Sequence, residues 1–173
     1  SRLWENYVGR SRHFWVWALP LMKQHFPEQL SSASLDDIYR SVNEVKRSLI
    51  RVEADEVTYN LHIILRFELE LALFHNEIKV SDLPHLWKEK SKSYLGVVPP
   101  TDRDGVLQDV HWSDGLFGYF PTYSLGNIIA AQWMNTIEQQ LPNVYKQMEQ
   151  GEFSELLNWL RVNIHKRGNL LIS

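Results

Sequence analysis

The sequence has no cysteine, no long hydrophobic run and no block of residues with one charge sign. Without cysteine, the chain can form neither disulfides nor thiolate metal sites, and this absence fits a cytoplasmic location. Its longest apolar runs, such as NLHIIL, fall far short of the roughly 20 residues that span a bilayer. Acidic and basic residues are interspersed, and the formal net charge is only -3. We therefore expect a soluble protein that binds neither a membrane nor a nucleic acid.

Several catalytic and metal-binding motifs are also missing. None of the seven histidines is followed by glutamate, so the His-Glu-x-x-His zinc motif does not occur. No Glu-x-x-His pair is present for a di-iron site of the kind found in helical bundles. A glycine-rich phosphate loop and a Gly-x-Ser-x-Gly nucleophile turn are absent as well. The sequence therefore predicts no metal site within this chain.

The residues that are present favour helices, because apolar residues recur at three- and four-residue spacing and strand-like alternation is rare. Ser34 and Ser81 are predicted to begin helices as N-caps, and Gly96 is predicted to end one. The expected helices cover the opening residues to about 20–27, 34 to about 49, 51 to about 76, 81–96, 123 to about 140, and two more after 142. The predicted fold class is mainly α, a single-domain helical bundle with a short irregular or extended segment near 105–112.

One of these predicted helices carries an unusual row of polar residues. The stretch RVEADEVTYNLHIILRFELE turns by roughly 100° per residue as a helix, which places Arg51, Asp55, Tyr59, His62 and Arg66 in one narrow stripe. The other faces are mostly apolar, so the helix is expected to be largely buried. A buried charge is costly unless it is paired. The stripe is therefore either a structural ion-pair network or part of an active site.

A second unusual stretch, GVLQDVHWSDGLFGYFPTYSLGN, runs from Gly105 to Asn127. Its glycines and prolines predict a loop, and within it Gln108, Asp109, His111 and Trp112 cluster. Loops of this kind often carry functional residues, so a helical bundle could direct this cluster toward a cleft. The alternative is a solvated turn in which Trp112 fills the core.

Three motifs together resemble those of the Taq-type thermostable metallocarboxypeptidases. The segment IRVEAD, 50–55, is similar to the family pattern Ile/Val-Arg-x-x-Ala-Asp, and GVLQDVHW, 105–112, matches Gly-x-x-Gln-Asp-x-His-Trp at every fixed position. The opening SRLWENYVGRSRHFW looks like the sequence that follows the family's His-Glu-Ser-x-Ser-Arg stretch. The resemblance covers essentially the whole chain. It implies a mainly helical fold, of which this chain forms one side of a long substrate groove.

In that family, a zinc ion is held by a His-Glu-x-x-His helix and by a glutamate that would lie upstream of Ser1. The resemblance therefore implies that residues 1–173 are a single helical domain from the C-terminal part of a longer enzyme. The lack of a starting Met and the three apolar residues near the end, after Gly168, favour a fragment cut at both ends. We expect zinc in the full-length protein, none in this fragment, and no activity of the fragment alone.

The resemblance also implies a function and residue roles. Such enzymes release single C-terminal amino acids from peptides, and Arg51 would bind the free carboxylate of the substrate. Asp55 would hold Arg51 in place, or else act only as a charge at a helix N-terminus. His111 and Tyr123 would be catalytic, donating hydrogen bonds to the substrate or to the developing oxyanion. For Tyr123, the alternative is an ordinary aromatic residue at a helix start.

The remaining predictions concern binding. Gln108 and Asp109 are assigned to substrate binding, and the expected partner is a peptide with a free C-terminal carboxylate. Tyr59, His62 and Arg66 are assigned to the groove wall, with a supporting structural role. The chief rival to the enzyme is a non-enzymatic helical module that binds a peptide or partner helix along the polar stripe. The seven tryptophans make self-association as a homodimer plausible.

Overall fold

The computed structural model describes residues 1–168, which form helices and turns and contain no β-strand. The mainly α fold class is confirmed. The α-helices described are α1 (Arg12–His25), α2 (Pro27–Leu30), α3 (Leu35–Val42), α4 (Glu56–Phe74), α5 (Leu83–Leu95), α6 (Pro121–Gln140), α7 (Val144–Met148) and α8 (Ser154–Leu160). Shorter turns of 3-10 helix cover Arg51–Glu53 and Val80–Asp82, and π-helical turns cover Leu3–Gly9 and Arg161–His165. Among the residues described, no helix is both long and apolar enough to cross a membrane.

The chain divides into two compact units. One contains Ser1–Val42 and the chain from Asn127 onward, and the other contains Asn43–Gly126. Each unit has a hydrophobic core of its own, described below. That residues 1–173 are a single domain of a longer enzyme stays a prediction.

The unit that contains the two ends of the chain is built around aliphatic residues. Its buried core consists of Leu3, Val8, Ala130, Met134, Ile137, Val144, Met148, Leu156 and Leu160. Aromatic rings cover this core, and the Trp17 ring packs edge-on against Phe153 with ring centroids 5.6 Å apart. Gly151 lies directly against the Trp17 indole with a φ of 75°, so both the backbone conformation and the available space require glycine there.

The central unit packs α4 against α5. Leu65 and Leu69 of α4 meet Leu83 and Trp87 of α5 in a buried cluster. A second cluster on the same helix contains Ala54, Tyr59, Ile63 and Phe120. Because Phe120 directly precedes α6 and Ala54 directly precedes the N-cap of α4, this second cluster holds the start of α4 against the end of the 105–120 loop.

The predicted helix beginning at Arg51 is wrong at its start. Arg51–Glu53 form a 3-10 turn, and α4 begins only at Glu56, after Asp55 in an extended conformation. The Asp55 carboxylate accepts hydrogen bonds from the backbone N–H groups of Val57 and Thr58, both at 2.9 Å. Aspartate favours this N-cap position because it satisfies N–H groups that lack helical partners. The spacing of the polar residues Arg51 and Asp55 matched a helix, but the capping geometry sets the boundary.

The other boundaries agree with the sequence to differing degrees. Ser34 caps α3 as predicted, since its hydroxyl accepts from the N–H of Asp37 at 3.1 Å, but α3 ends at Val42 instead of near residue 49. Ser81 lies inside a 3-10 turn instead of capping α5. Gly96 ends α5 as predicted, with a φ of 69°.

The later segments show similar shifts. The segment near 105–112 is a series of turns, so of the two predicted forms it is irregular and not extended. The helix predicted from Tyr123 begins at Pro121, and the helix predicted at Pro142 begins at Val144. The apolar residues noted after Gly168 lie outside the described residues.

Candidate functional site

The polar stripe of α4 is its buried face. Tyr59 is 4% exposed, and His62 and Arg66 are each 1% exposed, whereas Val57 is 66% and Ile64 41% exposed. The sequence predicted a largely buried helix, but part of its apolar surface faces outward and its polar stripe faces the interior of the central unit. These polar groups must therefore be satisfied inside the protein, and their partners define the candidate site.

Asp109 bridges two arginines. Arg51 donates from Nε and Nη2 to Asp109 Oδ1 at 3.1 and 2.7 Å, and Arg66 donates from Nε to Oδ2 at 2.6 Å. The Asp109 side chain is only 10% exposed. Burial by itself raises the pKa of this carboxyl, but the hydrogen bonds and charges of the two guanidiniums outweigh burial and hold its pKa below the ordinary value. Asp109 is therefore ionised at neutral pH.

Hydrogen bonds to Asp109 and Tyr59 fix the orientation of the Arg51 guanidinium. In addition to its bonds to Asp109, it donates from Nη1 to the Tyr59 hydroxyl at 2.9 Å. The Tyr123 ring covers its face, with the guanidinium carbon 4.8 Å from the ring centroid. A guanidinium has five N–H groups, and the three hydrogen bonds to described residues leave two of them, one on each Nη nitrogen. Arg51 is therefore oriented, yet retains donors for a further acceptor.

Arg66 lies behind Asp109 in the interior. It donates from Nη1 to the carbonyl oxygen of His62 at 2.8 Å, and its guanidinium carbon lies 4.6 Å from the Trp87 ring centroid. Burial lowers the pKa of Arg66 to about 10, against the opposing effect of Asp109, so Arg66 is still charged at neutral pH. Among the described residues, Asp109 is the only carboxylate hydrogen-bonded to either guanidinium. The three bonded ions therefore sum to one positive charge.

His111 and Tyr123 meet beside this cluster. His111 Nε2 and the Tyr123 hydroxyl are 2.9 Å apart, while His111 Nδ1 is buried, makes no hydrogen bond to the described residues and lies 3.9 Å from Asp109 Oδ1. Burial lowers the pKa of His111 and raises that of Tyr123. Both groups are therefore neutral at neutral pH, and the imidazole and the hydroxyl can exchange donor and acceptor roles. The sequence-predicted residues Arg51, Asp109, His111 and Tyr123 are thus brought together.

Gln108 joins the same cluster through its side-chain amide, which binds backbone groups of its neighbours. Its Oε1 accepts the backbone N–H of Arg51 at 3.1 Å, and its Nε2 donates to the carbonyl oxygens of Leu49 and Asp104 at 2.9 and 3.1 Å. The side-chain amide therefore joins the 105–109 turn to the 3-10 turn that carries Arg51. Its predicted part in substrate binding stays a prediction.

Asp55 is separate from the Arg51 guanidinium. Besides capping α4, its carboxylate accepts from the Thr58 hydroxyl at 2.7 Å and from the backbone N–H of Lys46 at 3.2 Å. Of the two readings of Asp55, the structure places it as a helix N-terminal group, and Asp109 occupies the place beside Arg51 that the sequence suggested for Asp55. The assignment of Asp55 to substrate binding stays a prediction.

Sequence reasoning missed the buried carboxylate of Glu70. Glu70 is 5% exposed and accepts from Trp112 Nε1 at 2.8 Å and from the backbone N–H of Gly118. Trp112 also packs edge-on against Trp87 at the edge of the core, but the solvated turn proposed as the alternative is wrong, because Asp109 and His111 are about a tenth exposed. The available signal was spacing, because Glu70 follows Arg66 by four residues and extends the same stripe.

The side chains of residues 1–168 do not form a site that fits a metal ion. Within the described part of the chain, no three His, Asp or Glu side chains come together in a group that could hold a metal. The carboxylate of Asp109 is committed to two arginines, which excludes it as a ligand in this arrangement.

Comparison with known proteins places these features in context. The sequence profile of the family described as Carboxypeptidase Taq (M32) metallopeptidase matches residues 1–173. The chain is 53% identical to Thermostable carboxypeptidase 1 of Thermus thermophilus, over 98% of this chain and 33% of that protein. It is 48% identical to Carboxypeptidase 1 of Bacillus subtilis, over 97% of this chain and 34% of that protein. The chain thus spans about a third of the length of these relatives.

Solved structures agree in fold as well as in sequence. The M32 carboxypeptidase from Deinococcus radiodurans R1 superposes with a TM-score of 0.89 at 45% identity, covering 94% of this chain and 33% of that chain. The Pyrococcus furiosus carboxypeptidase in its Apo-Mg structure superposes with a TM-score of 0.91 at 41% identity, covering 95% of this chain and 33% of that chain.

Proposed function

Because the chain belongs to the carboxypeptidase Taq (M32) metallopeptidase family, we propose that it is part of a metallocarboxypeptidase that releases single C-terminal amino acids from peptides. The observation that carries this proposal is the Arg51 guanidinium. Asp109 and Tyr59 hold it in place, and the hydrogen bonds to described residues leave one N–H on each Nη nitrogen. The whole enzyme would be a longer polypeptide that contains this chain, since the relatives are about three times the length of this chain.

A carboxypeptidase must distinguish the free carboxylate of a chain end from an internal peptide group. A guanidinium does so with charge and with paired N–H donors that match the two carboxylate oxygens. Arg51 is suited to this task because its partners fix the plane of the guanidinium before substrate binds, which reduces the ordering cost of binding. The net positive charge of the bonded Arg51, Asp109 and Arg66 side chains supports binding of an anion.

In this proposal, His111 and Tyr123 act on the scissile carbonyl. Both side chains are neutral at neutral pH and lie beside Arg51, so either can donate a hydrogen bond without repelling the guanidinium. Such a donor would stabilise the negative charge that develops on the carbonyl oxygen during peptide hydrolysis. The Tyr123 ring over Arg51 would keep the carboxylate site and this donor at a fixed separation.

Zinc belongs to this proposal only as part of the longer enzyme. The described residues do not form a metal site, so its ligands would come from outside this chain. A cytoplasmic location and a homodimeric form also remain predictions.

The test is Arg51→Ala in the longer enzyme. Loss of a charge-assisted contact of on the order of 2–4 kcal/mol should lower kcat/KM about 30- to 1000-fold for peptides with a free C-terminal carboxylate. Arg51→Lys should recover only part of this loss, because an ammonium lacks the guanidinium's paired N–H geometry. Steady-state kinetics on matched free and amidated peptides would measure both effects.

The amidated peptide is the internal control. It should be a poor substrate of the unmodified enzyme, and Arg51→Ala should scarcely worsen it, because the carboxylate contact is already missing. If Arg51→Ala instead lowered the melting temperature and left kcat/KM of the folded enzyme intact, Arg51 would be only a structural ion and the proposed function would fail.

A further inference from the structure

This inference rests on the proposed function. The position of Asp109 is unfavourable for that function, because its negative charge lies beside the proposed binding site of the substrate carboxylate. Its carboxylate is 2.7 Å from Arg51 Nη2, the nitrogen that also has an N–H left for the substrate. An isolated Arg51–Asp109 pair would be neutral, and Asp109 would repel a second carboxylate bound to the same guanidinium. In a buried site that repulsion is weakly screened.

Arg66 counters this repulsion from the far side of Asp109. Its Nε donates to Oδ2, and its Nη2 lies 2.6 Å from the same oxygen, while Oδ1 faces Arg51. Arg66 has a side chain 1% exposed, so it is not available to contact a substrate directly. Its other partners, the His62 carbonyl and the Trp87 ring, fix it in the interior.

We propose that Arg66 is a positioning residue that sets the preference for a free C-terminal carboxylate. It offsets the charge of Asp109, so that the bonded ions keep one positive charge for the substrate. It also holds Oδ2, which prevents Asp109 from turning toward the two N–H groups left on Arg51. Arg66 thus acts through Asp109 and Arg51 without touching the peptide.

The test compares Arg66→Met with the double variant Arg66→Met, Asp109→Asn in the longer enzyme. Arg66→Met should raise KM for a free-carboxylate peptide by about 10- to 100-fold, with a smaller change in kcat. The inhibition constant of the same peptide with an amidated C-terminus should change by less than about 3-fold, because it has no carboxylate to be repelled. Arg103→Met, at an exposed arginine, is the matched control and should leave both constants unchanged.

The double variant separates the effect of the lost Arg66 charge from the effect of the lost side-chain packing. Removing Arg66 and the charge of Asp109 together leaves Arg51 with one positive charge, so KM for the free-carboxylate peptide should return to within about 3-fold of the unmodified value. Arg66→Lys, which keeps the charge but loses the guanidinium geometry, should give an intermediate KM.

Four results would overturn the proposal. The first is an equal change for free and amidated peptides in Arg66→Met, which indicates general damage to the site. The second is a double variant that is folded, by thermal melting, but binds the free-carboxylate peptide no better than Arg66→Met does. If Arg66→Met fails to fold, a folded double variant that has lost its preference for the free carboxylate is equally decisive. An unmodified enzyme without that preference would refute the proposed function itself, and this inference with it.

Discussion

Single residues in the central unit are held in charge states that differ from their behaviour in water. His62 is buried, and burial together with the nearby charges of Arg66 and Arg51 lowers its pKa from 6.5 to about 4. Its Nε2 atom makes no hydrogen bond to a described residue. Folding therefore requires neutral His62 at a pH where the unfolded chain would protonate it.

This requirement predicts that acid destabilises the protein through His62. Between pH 6.5 and about 4 the unfolded chain binds a proton at His62 that the folded chain excludes, so stability falls as pH falls through this window. The full effect is roughly 3 kcal/mol at the acid end of the window. Urea unfolding at a series of pH values would measure the slope.

His62→Gln should flatten that slope, whereas the same change at exposed His85 should leave it unaltered. An equally steep slope in His62→Gln would assign the acid sensitivity to another group.

At the scale of the helix, α4 depends on Asp55 for its start. Asp55→Ala should lower the free energy of unfolding by about 0.5–2 kcal/mol, because the first N–H groups of α4 lose their acceptor. Asp55→Asn and Asp55→Ser keep an acceptor oxygen and should retain most of the stability. Chemical denaturation of the three variants would measure these differences.

Asp55→Ala also tests the predicted role of Asp55 in substrate binding. Because Asp55 does not contact the Arg51 guanidinium, Asp55→Ala in the longer enzyme should leave kcat/KM of the folded fraction within a few-fold of normal. A loss as large as that expected for Arg51→Ala would show that Asp55 takes part in substrate binding after all.

The helices could be predicted because their signals are local. Periodicity, the Ser34 cap and Gly96 lie within a few residues of the boundaries that they determine. The start of α4 could not be placed in this way, since Arg51 and Asp55 also fit helical spacing. The extended Asp55 caps α4 and also accepts the backbone N–H of Lys46, nine residues away, a contact that helical periodicity does not indicate.

The sequence predicted which residues belong to the candidate site but not which of them contact each other. Arg51 and Asp109 are separated by 58 positions, so no sequence spacing indicates their contact. Sequence proximity favoured Asp55 as the partner of Arg51, and the family resemblance assigned Arg66 to the groove wall. The folding of the 105–109 turn over α4 instead places one carboxylate between both arginines.

At the scale of the whole molecule, metal content separates this chain from the longer enzyme. Since the described residues include no group suited to a metal, this chain expressed alone should retain no stoichiometric zinc after dialysis. The longer enzyme should contain zinc and lose peptidase activity when a chelator removes it. Elemental analysis and activity assays would measure both. Stoichiometric, chelator-sensitive zinc in this chain would mean that its ligands lie within residues 1–173.

The outward apolar face of α4 affects the solubility of the chain on its own in salt solutions. Val57, Ile64, Phe67, Leu71 and Phe74 follow one another at helical spacing, and all are more than a third exposed. The formal net charge of -3 gives only weak repulsion between molecules. Added salt screens that repulsion and leaves the apolar attraction intact. Salting-out of this chain should therefore begin at a lower ionic strength than that of a protein of equal charge with a polar helix face.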